Sequence, residues 1–232
     1  LEEYLQNILR NYLPKRMDTM NLHTKEMFDK AYGDRDWKFY RGIIANCILY
    51  GRPGPILDVG AGLGFFVEGC SRYGMKCIGI EGSEYAVKEA KSRFPMEIFQ
   101  HFMEKKFPFE DNYFSVVVCN QIIEHVTSET ARNMLKECYR VLKGGGLLII
   151  NSPCYYDMEQ RKEETHINLY TPSSLKKEII LAGLKRVESA NNLRPVFGNS
   201  IVAKLIIQFI YRLCPLDFFC STANCRAYKD LI

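Results

Sequence analysis

The stretch Ile56-Leu57-Asp58-Val59-Gly60-Ala61-Gly62-Leu63-Gly64 decides the fold of this 232-residue chain. An apolar strand runs into an acid, and then into glycines at three alternate positions. Glycine lets the backbone turn tightly and lets a ligand approach it closely. The helix that follows can turn its free N–H groups toward that ligand. Dinucleotide-binding loops read G-x-G-x-x-G. Here the third glycine is Gly64 and Phe65 follows it, so the pattern is D-x-G-x-G-x-G. That spacing disfavours a nicotinamide-dependent oxidoreductase and leaves a generic strand–turn–helix as the plain alternative.

On either side of this loop the pattern is regular. Pro53, Gly54 and Pro55 break any preceding helix. We therefore divide the chain into an N-terminal helical extension over 1–52, with aromatics at Tyr32, Trp37, Phe39 and Tyr40, and a core over 53–232. Phe66, Val67, Cys70 and Tyr73 recur at helical spacing. Cys77 to Ile80 reads as a second strand, and Ser83 as the N-cap of a helix striped by Ala86, Val87 and Ala90. Ile98-Phe99 marks a third strand. Phe114 to Cys119 is an apolar run suited to a strand covered on both faces. Thr127 or Ser128 caps a helix that Gly144 to Gly146 should stop, and Leu147 to Ile150 follows as the fifth strand. Thr171-Pro172 opens another helix, closed by Gly183. Lys185 to Ala190 and Asn224 to Lys229 read as a final antiparallel pair. Strands alternating with helices imply a parallel sheet with helices on both faces. The expected fold is an α/β Rossmann-like three-layer sandwich, its seven-stranded sheet mostly parallel with an antiparallel C-terminal strand.

Composition narrows the function. The chain is 47% hydrophobic and 25% charged, as in soluble globular proteins. Its net charge of +4 is too small to argue for nucleic acid, so no nucleic-acid partner is expected. Nine cysteines is an odd count, and several lie in apolar periodic segments, which suits a reducing compartment better than a disulfide framework. Cys214, Cys220 and Cys225 match no common zinc spacing, and no metal is expected. Leu1-Glu2-Glu3-Tyr4 lacks the form of a leader, and the expected location is cytoplasmic. Ser200 to Leu213, inside an apolar insertion near 197–220, is too short to span a membrane. Lys204, Gln208 and Arg212 leave most of its surface apolar, to be covered by the sheet, by a homodimer partner or by peripheral contact with a membrane.

In an open α/β sheet, ligands bind beyond the C-terminal ends of the strands. Strand two ends in Glu81, about twenty residues past the glycine loop, where such folds place a ribose-binding acid. A carboxylate can accept from both hydroxyls of a diol. The alternative is a helix-start acid favoured by the macrodipole.

Four motifs in order carry a family resemblance over about Pro55 to Leu184. The glycine loop resembles motif I of class I S-adenosylmethionine-dependent methyltransferases. Phe107 to Val117 is similar to the family's LPF-x-D-x-x-FD-V-V stretch, with Ser115 where aspartate is usual. Asn120-Gln121-Ile122-Ile123-Glu124-His125-Val126 is similar to its L-E-H-V segment. Arg140-Val141-Leu142-Lys143-Gly144-Gly145-Gly146 is similar to its R-V-L-K-P-G-G turn, with Gly144 in place of proline. The resemblance implies S-adenosyl-L-methionine as cofactor and S-adenosyl-L-homocysteine as product. It assigns cofactor binding to Asp58, Gly60, Ala61, Gly62, Gly64, Glu81, Gly82, Asn120 and Gln121. Met103 stands where the family carries an acid for the adenine amine; it is expected to pack on adenine and offer its backbone N–H, with Glu104 the candidate to accept from the amine. The implied reaction moves a methyl group to an oxygen, less readily a nitrogen, of a small molecule such as a sugar or quinone precursor. A catalytically silent relative is the alternative. His166, in Thr165-His166-Ile167-Asn168-Leu169-Tyr170-Thr171-Pro172, is the first candidate for general base, with His125 and Tyr170 in reserve. Equal weight goes to His166 fixing its loop through a backbone carbonyl.

Overall fold

The computed structural model describes residues 25–189, 192, 208–209 and 216–231. The insertion segment 200–213 falls outside them except for Gln208 and Phe209, as do residues 1–24 and Cys214. Among the described residues no helix is long and apolar enough to cross a membrane.

Among the described residues two helices precede the sheet, α1 (Lys25–Tyr32) and α2 (Arg41–Tyr50), with a 3-10 turn Trp37–Tyr40 between them. The core then alternates β1 (Ile56–Val59), α3 (Phe65–Arg72), β2 (Cys77–Glu81), α4 (Glu84–Arg93) and β3 (Glu97–Gln100). It continues with β4 (Phe114–Asn120), α5 (Ser128–Val141), β5 (Leu142–Pro153), α6 (Pro172–Leu181), β6 (Lys185–Ser189) and β7 (Thr222–Tyr228). The seven strands lie in the order β3-β2-β1-β4-β5-β7-β6. β7 runs antiparallel to both of its neighbours, and the other pairings are parallel.

The continuous apolar strands follow from burial on both faces. Leu57, Val117, Cys119, Leu148 and Ile150 enter one apolar cluster with α5 and α6. Their chain neighbours Ile56, Val116, Val118, Leu147 and Ile149 enter the other, with α2, α3 and α4. This alternation at a period of two defines the three layers. Side chains such as Leu57 and Leu148, with no exposed surface, contribute about 1.5–3 kcal/mol each. The eight described cysteines are buried and pack as small hydrophobes.

Caps set the helix starts. The Ser83 side chain accepts from Ala86 N–H, the Thr127 side chain from Thr130 N–H, and Thr171 forms a capping box with Ser174 ahead of Pro172. One expectation is corrected. The three glycines at 144–146 do not stop α5, which ends at Val141; they lie inside β5, which starts at Leu142. Gly145 has φ +74°, and pairing with β4 shifts register between Phe114 and Val116. The glycines therefore bend the strand. The helix ends because Leu142 turns extended while Lys229 takes up the last carbonyls. The Lys229 ammonium donates to Leu142 O at 2.8 Å, Tyr139 O at 2.9 Å and Asn112 Oδ1 at 2.8 Å.

Arg140 organises the approach to β4. It donates to Phe107 O at 3.0 Å and Phe109 O at 2.8 Å, and pairs with Glu137 at 2.6 Å. This fixes the loop of the second family motif against α5. Arg140→Met strands both carbonyls, and we expect unfolding in urea to show a loss of about 2–3 kcal/mol. An unchanged midpoint would mean that water replaces the guanidinium at no cost.

Candidate active site

The ends of β1 and β2 bring the first group of predicted residues together. Gly60, Gly62 and Gly64 have φ of +75°, +52° and +73°, a left-handed conformation that other residues rarely adopt. Both Gly60 N–H and Ala61 N–H donate to Ile80 O, at 2.9 and 3.0 Å, tying the loop to β2. Glu81 holds the loop from the other side. Its Oε2 accepts from Gly62 N–H and its Oε1 from Ser83 N–H, both at 2.8 Å. Each oxygen keeps a further lone pair, so the carboxylate both braces the loop and retains capacity for a diol. The turn after β3 closes the same edge through His101 N–H to Glu81 O at 2.8 Å. In that turn Met103 is buried and Glu104 exposed.

Asp58 is buried, and the charged group acting on it is another acid, Glu81. Burial first, and that repulsion second, push its carboxyl up to about 8. A buried acid facing a second acid suits a ligand that brings positive charge and hydroxyls, as a sulfonium nucleoside with an amino-acid tail does. The cradle therefore fits S-adenosylmethionine. The proton on Asp58 also sets a stability trend. An unfolded aspartate releases its proton near ~3.9, whereas folded Asp58 holds it to about 8. Between those values the folded chain binds more protons. The stabilisation is complete below the lower value and is lost as pH rises through the upper one. Asp58→Asn is expected to flatten the fall of the urea midpoint over this window. A slope identical to wild type would remove Asp58 as its source.

The N-terminal aromatics do not act as one group. Tyr32 reaches over the loop, so a Cβ on Gly62 would collide with its hydroxyl. It hydrogen-bonds Tyr40 and the Leu63 backbone, and it stacks near Phe28 and Phe65 at 5.9 and 5.8 Å. Burial raises both tyrosines, Tyr40 to about 12. Trp37 lies elsewhere, edge-on to Tyr73 and under Arg72 on α3.

The end of β4 supplies the second group. Asn120 Oδ1 accepts from Asn151 Nδ2 at 3.1 Å, and Gln121 has φ +57°, a rare conformation for a residue with a side chain. A 3-10 turn, Ile123–His125, follows. The loop after β5 folds back on it, with Ile167 N–H and Asn168 N–H donating to Glu124 O at 2.9 and 3.1 Å. This contact brings His125 and His166 to 4.9 Å between ring centres. His125 Nδ1 bonds Thr165 O at 3.0 Å and His166 Nδ1 bonds Gln160 O at 2.9 Å. His166 does fix its loop through a carbonyl, and its other nitrogen stays available. Burial, then the neighbouring His166, lower His125 to about 4, so it is neutral across the physiological range. Tyr170 does not join the pair. It is buried, and its hydroxyl accepts from Asn168 Nδ2 at 2.7 Å.

Glu124, beside His125, is fully buried. Burial pushes its carboxyl up to about 8. Neither oxygen has a hydrogen-bond partner, because the Ser152 hydroxyl donates to Pro153 O at 3.2 Å instead. The family resemblance implies that Glu124 and His125 lie at or just behind the acceptor pocket, either in catalysis or in orienting loops by hydrogen bonds.

A glycine loop at the C-terminal edge of this sheet, braced by an acid from the next strand, is the arrangement of a Rossmann-like α/β fold. Residues 57–150 match the family described as Methyltransferase domain. A probable S-adenosylmethionine-dependent methyltransferase of Mycolicibacterium smegmatis is 29% identical over 98 residues, which is 42% of this chain and 37% of that protein. A ubiquinone biosynthesis O-methyltransferase of Alkalilimnicola ehrlichii is 32% identical over 116 residues, which is 47% of this chain and 45% of the relative. The aligned region thus spans less than half the length of either relative. Among solved structures, a SAM dependent methyltransferase from Archaeoglobus fulgidus shares the fold with a TM-score of 0.66 at 21% identity, covering 91% of this chain and 100% of that one. Over residues 57–150 the chain is thus similar to S-adenosylmethionine-dependent methyltransferases, and it shares the fold of such an enzyme over most of its length.

Proposed function

We propose that this protein transfers a methyl group from S-adenosylmethionine to an oxygen of a small-molecule acceptor. The observation that carries the reading is the braced glycine loop, with Glu81 accepting from Gly62 and Ser83 beside the buried acid Asp58. The cofactor, when bound, supplies a methyl group already activated on sulfur. The chain's own work is then alignment and preparation of the acceptor. Glu81 would accept from the sugar hydroxyls beside the side-chain-free glycine loop, and a cationic ligand near Asp58 would favour release of its proton. Tyr32 and Tyr40 close over the loop and exclude water. Asn120 and Gln121, at the end of β4, border the region where the acceptor enters.

Oxygen is favoured because a hydroxyl must give up a proton to become a good nucleophile. His125 and His166 each hold Nδ1 on a carbonyl, which leaves a ring nitrogen free to accept that proton. Calorimetry with S-adenosylhomocysteine tests the cofactor half of the proposal. Mass spectrometry of a methylation screen over hydroxylated and amine acceptors tests the other half. A folded protein that ignores S-adenosylhomocysteine overturns the reading, and a product methylated only on nitrogen overturns the choice of oxygen.

A further inference from the structure

The end of β4 and the loop after β5 meet at a cluster whose chemistry exceeds that of a general base. Glu124, His125 and His166 each offer a ligating atom, and these atoms lie within 4.8 Å of one another. We propose that Glu124, His125 and His166 form a binding site for a divalent first-row transition ion, with zinc the ion that best suits the ligand set.

Three observations carry this. The first is the donor set. Two imidazoles and one carboxylate suit zinc and its neighbours, whereas magnesium and calcium favour oxygen alone. The second is the hydrogen bonding of the rings. Each Nδ1 faces a backbone carbonyl, Thr165 O at 3.0 Å and Gln160 O at 2.9 Å. A carbonyl only accepts, so each Nδ1 carries the proton and each Nε2 keeps its lone pair. This is the outer support that metal-binding histidines usually show, fixing the tautomer and aiming the ring. The third is Glu124. Its side chain is fully buried, yet both carboxylate oxygens lack a partner. A carboxyl so placed costs free energy unless something bonds it, and an ion beside two imidazoles would do so.

The supporting geometry is already built. Hydrogen bonds from Ile167 and Asn168 to Glu124 O, and from His125 to Thr165 O, stitch the two segments together. Tetrahedral coordination at about 2.0–2.1 Å places ligand atoms about 3.4 Å apart, so side-chain rotations of about an ångström complete the site. Three protein ligands leave one position open. If the methyl-transfer reading holds, that position takes the acceptor oxygen and lowers its pKa, and with both histidines on the ion the acceptor's proton leaves to solvent and not to their rings. Only this last statement rests on that reading. The ion itself would replace the expectation of a metal-free protein.

The test uses the chain freed of metal by chelator. Cobalt(II) is titrated and followed by its visible d–d bands, and zinc affinity is then measured by competition with a chromophoric chelator. S-adenosylhomocysteine binding is measured on the same samples. The expected result is about one ion per chain, with bands of a nitrogen–oxygen site and no thiolate charge-transfer band. His166→Ala and Glu124→Gln should each weaken zinc by about thirtyfold or more, while far-ultraviolet circular dichroism stays native. Magnesium should not compete. Glu124→Gln also separates the roles, because glutamine mimics a protonated carboxyl that is merely structural and would leave zinc affinity unchanged. Three results overturn the proposal: folded protein that binds no cobalt or zinc, binding indifferent to both substitutions, or a thiolate band placing the ion on the cysteines. Wild-type protein that binds S-adenosylhomocysteine but no zinc sinks the metal site alone. The reverse pattern sinks the methyl-transfer reading alone.

Discussion

Glu81→Ala is expected to weaken S-adenosylhomocysteine binding by more than about a hundredfold. Two charge-assisted hydrogen bonds to a diol account for that loss, at about 1.5–3 kcal/mol each. The same change removes the acceptor of Gly62 N–H and Ser83 N–H, both bonded at 2.8 Å. Two buried donors without a partner cost about 1–3 kcal/mol each, so the urea midpoint should fall as well. Glu81→Gln separates the two contributions. Its single carbonyl can still brace one amide, while its NH2 group cannot accept from a hydroxyl. Calorimetry and urea unfolding on both variants read this out. If Glu81→Gln binds S-adenosylhomocysteine as wild type does, the carboxylate serves the loop and the diol is held by another group.

The second large effect belongs to Gly62. Its φ is +52°, where a β-branched residue is a genuine outlier. A Cβ there would also collide with the Tyr32 hydroxyl. Gly62→Val should therefore abolish measurable cofactor binding and cost about 2–3 kcal/mol of stability. Tyr32→Ala in the same chain relieves the collision but not the backbone strain. The double variant is expected to recover part of the stability and none of the binding. Full recovery of both would show that the left-handed turn is dispensable and that crowding by Tyr32 is the whole effect.

The parts of this molecule that were legible in the sequence share a physical basis in local periodicity. Phe114 to Cys119 announces a strand buried on both faces because every position is apolar. The glycine loop announces itself because only glycine is at ease at Gly60, Gly62 and Gly64. Ser83, Thr127 and Thr171 mark helix starts because a short side chain with an oxygen can reach a free N–H three residues on. The residues that were not legible depend on contacts between distant segments. Lys229 reads as an ordinary charged residue, yet it caps a helix about ninety residues earlier. Gly144 to Gly146 look like a helix stop, but the stop comes from that lysine and the glycines bend β5. Tyr32 reaches the loop because Phe28, on the same helix, packs near Tyr85 at 6.0 Å. His125 and His166, separated by forty residues of chain, become neighbours through two hydrogen bonds to the Glu124 carbonyl. No periodicity encodes that meeting.

The position of β7 has a consequence for how the chain is made. β7 is synthesised after β6 but lies between β6 and β5, antiparallel to both. While the ribosome is still building the segment before Thr222, β5 is a bare sheet border rich in leucine and isoleucine, and β6 has no strand to join. A nascent chain paused there presents the kind of open, apolar edge that recruits other chains. The fold is sealed by a strand that arrives late, and premature termination before it would yield an aggregation-prone product despite a complete glycine loop.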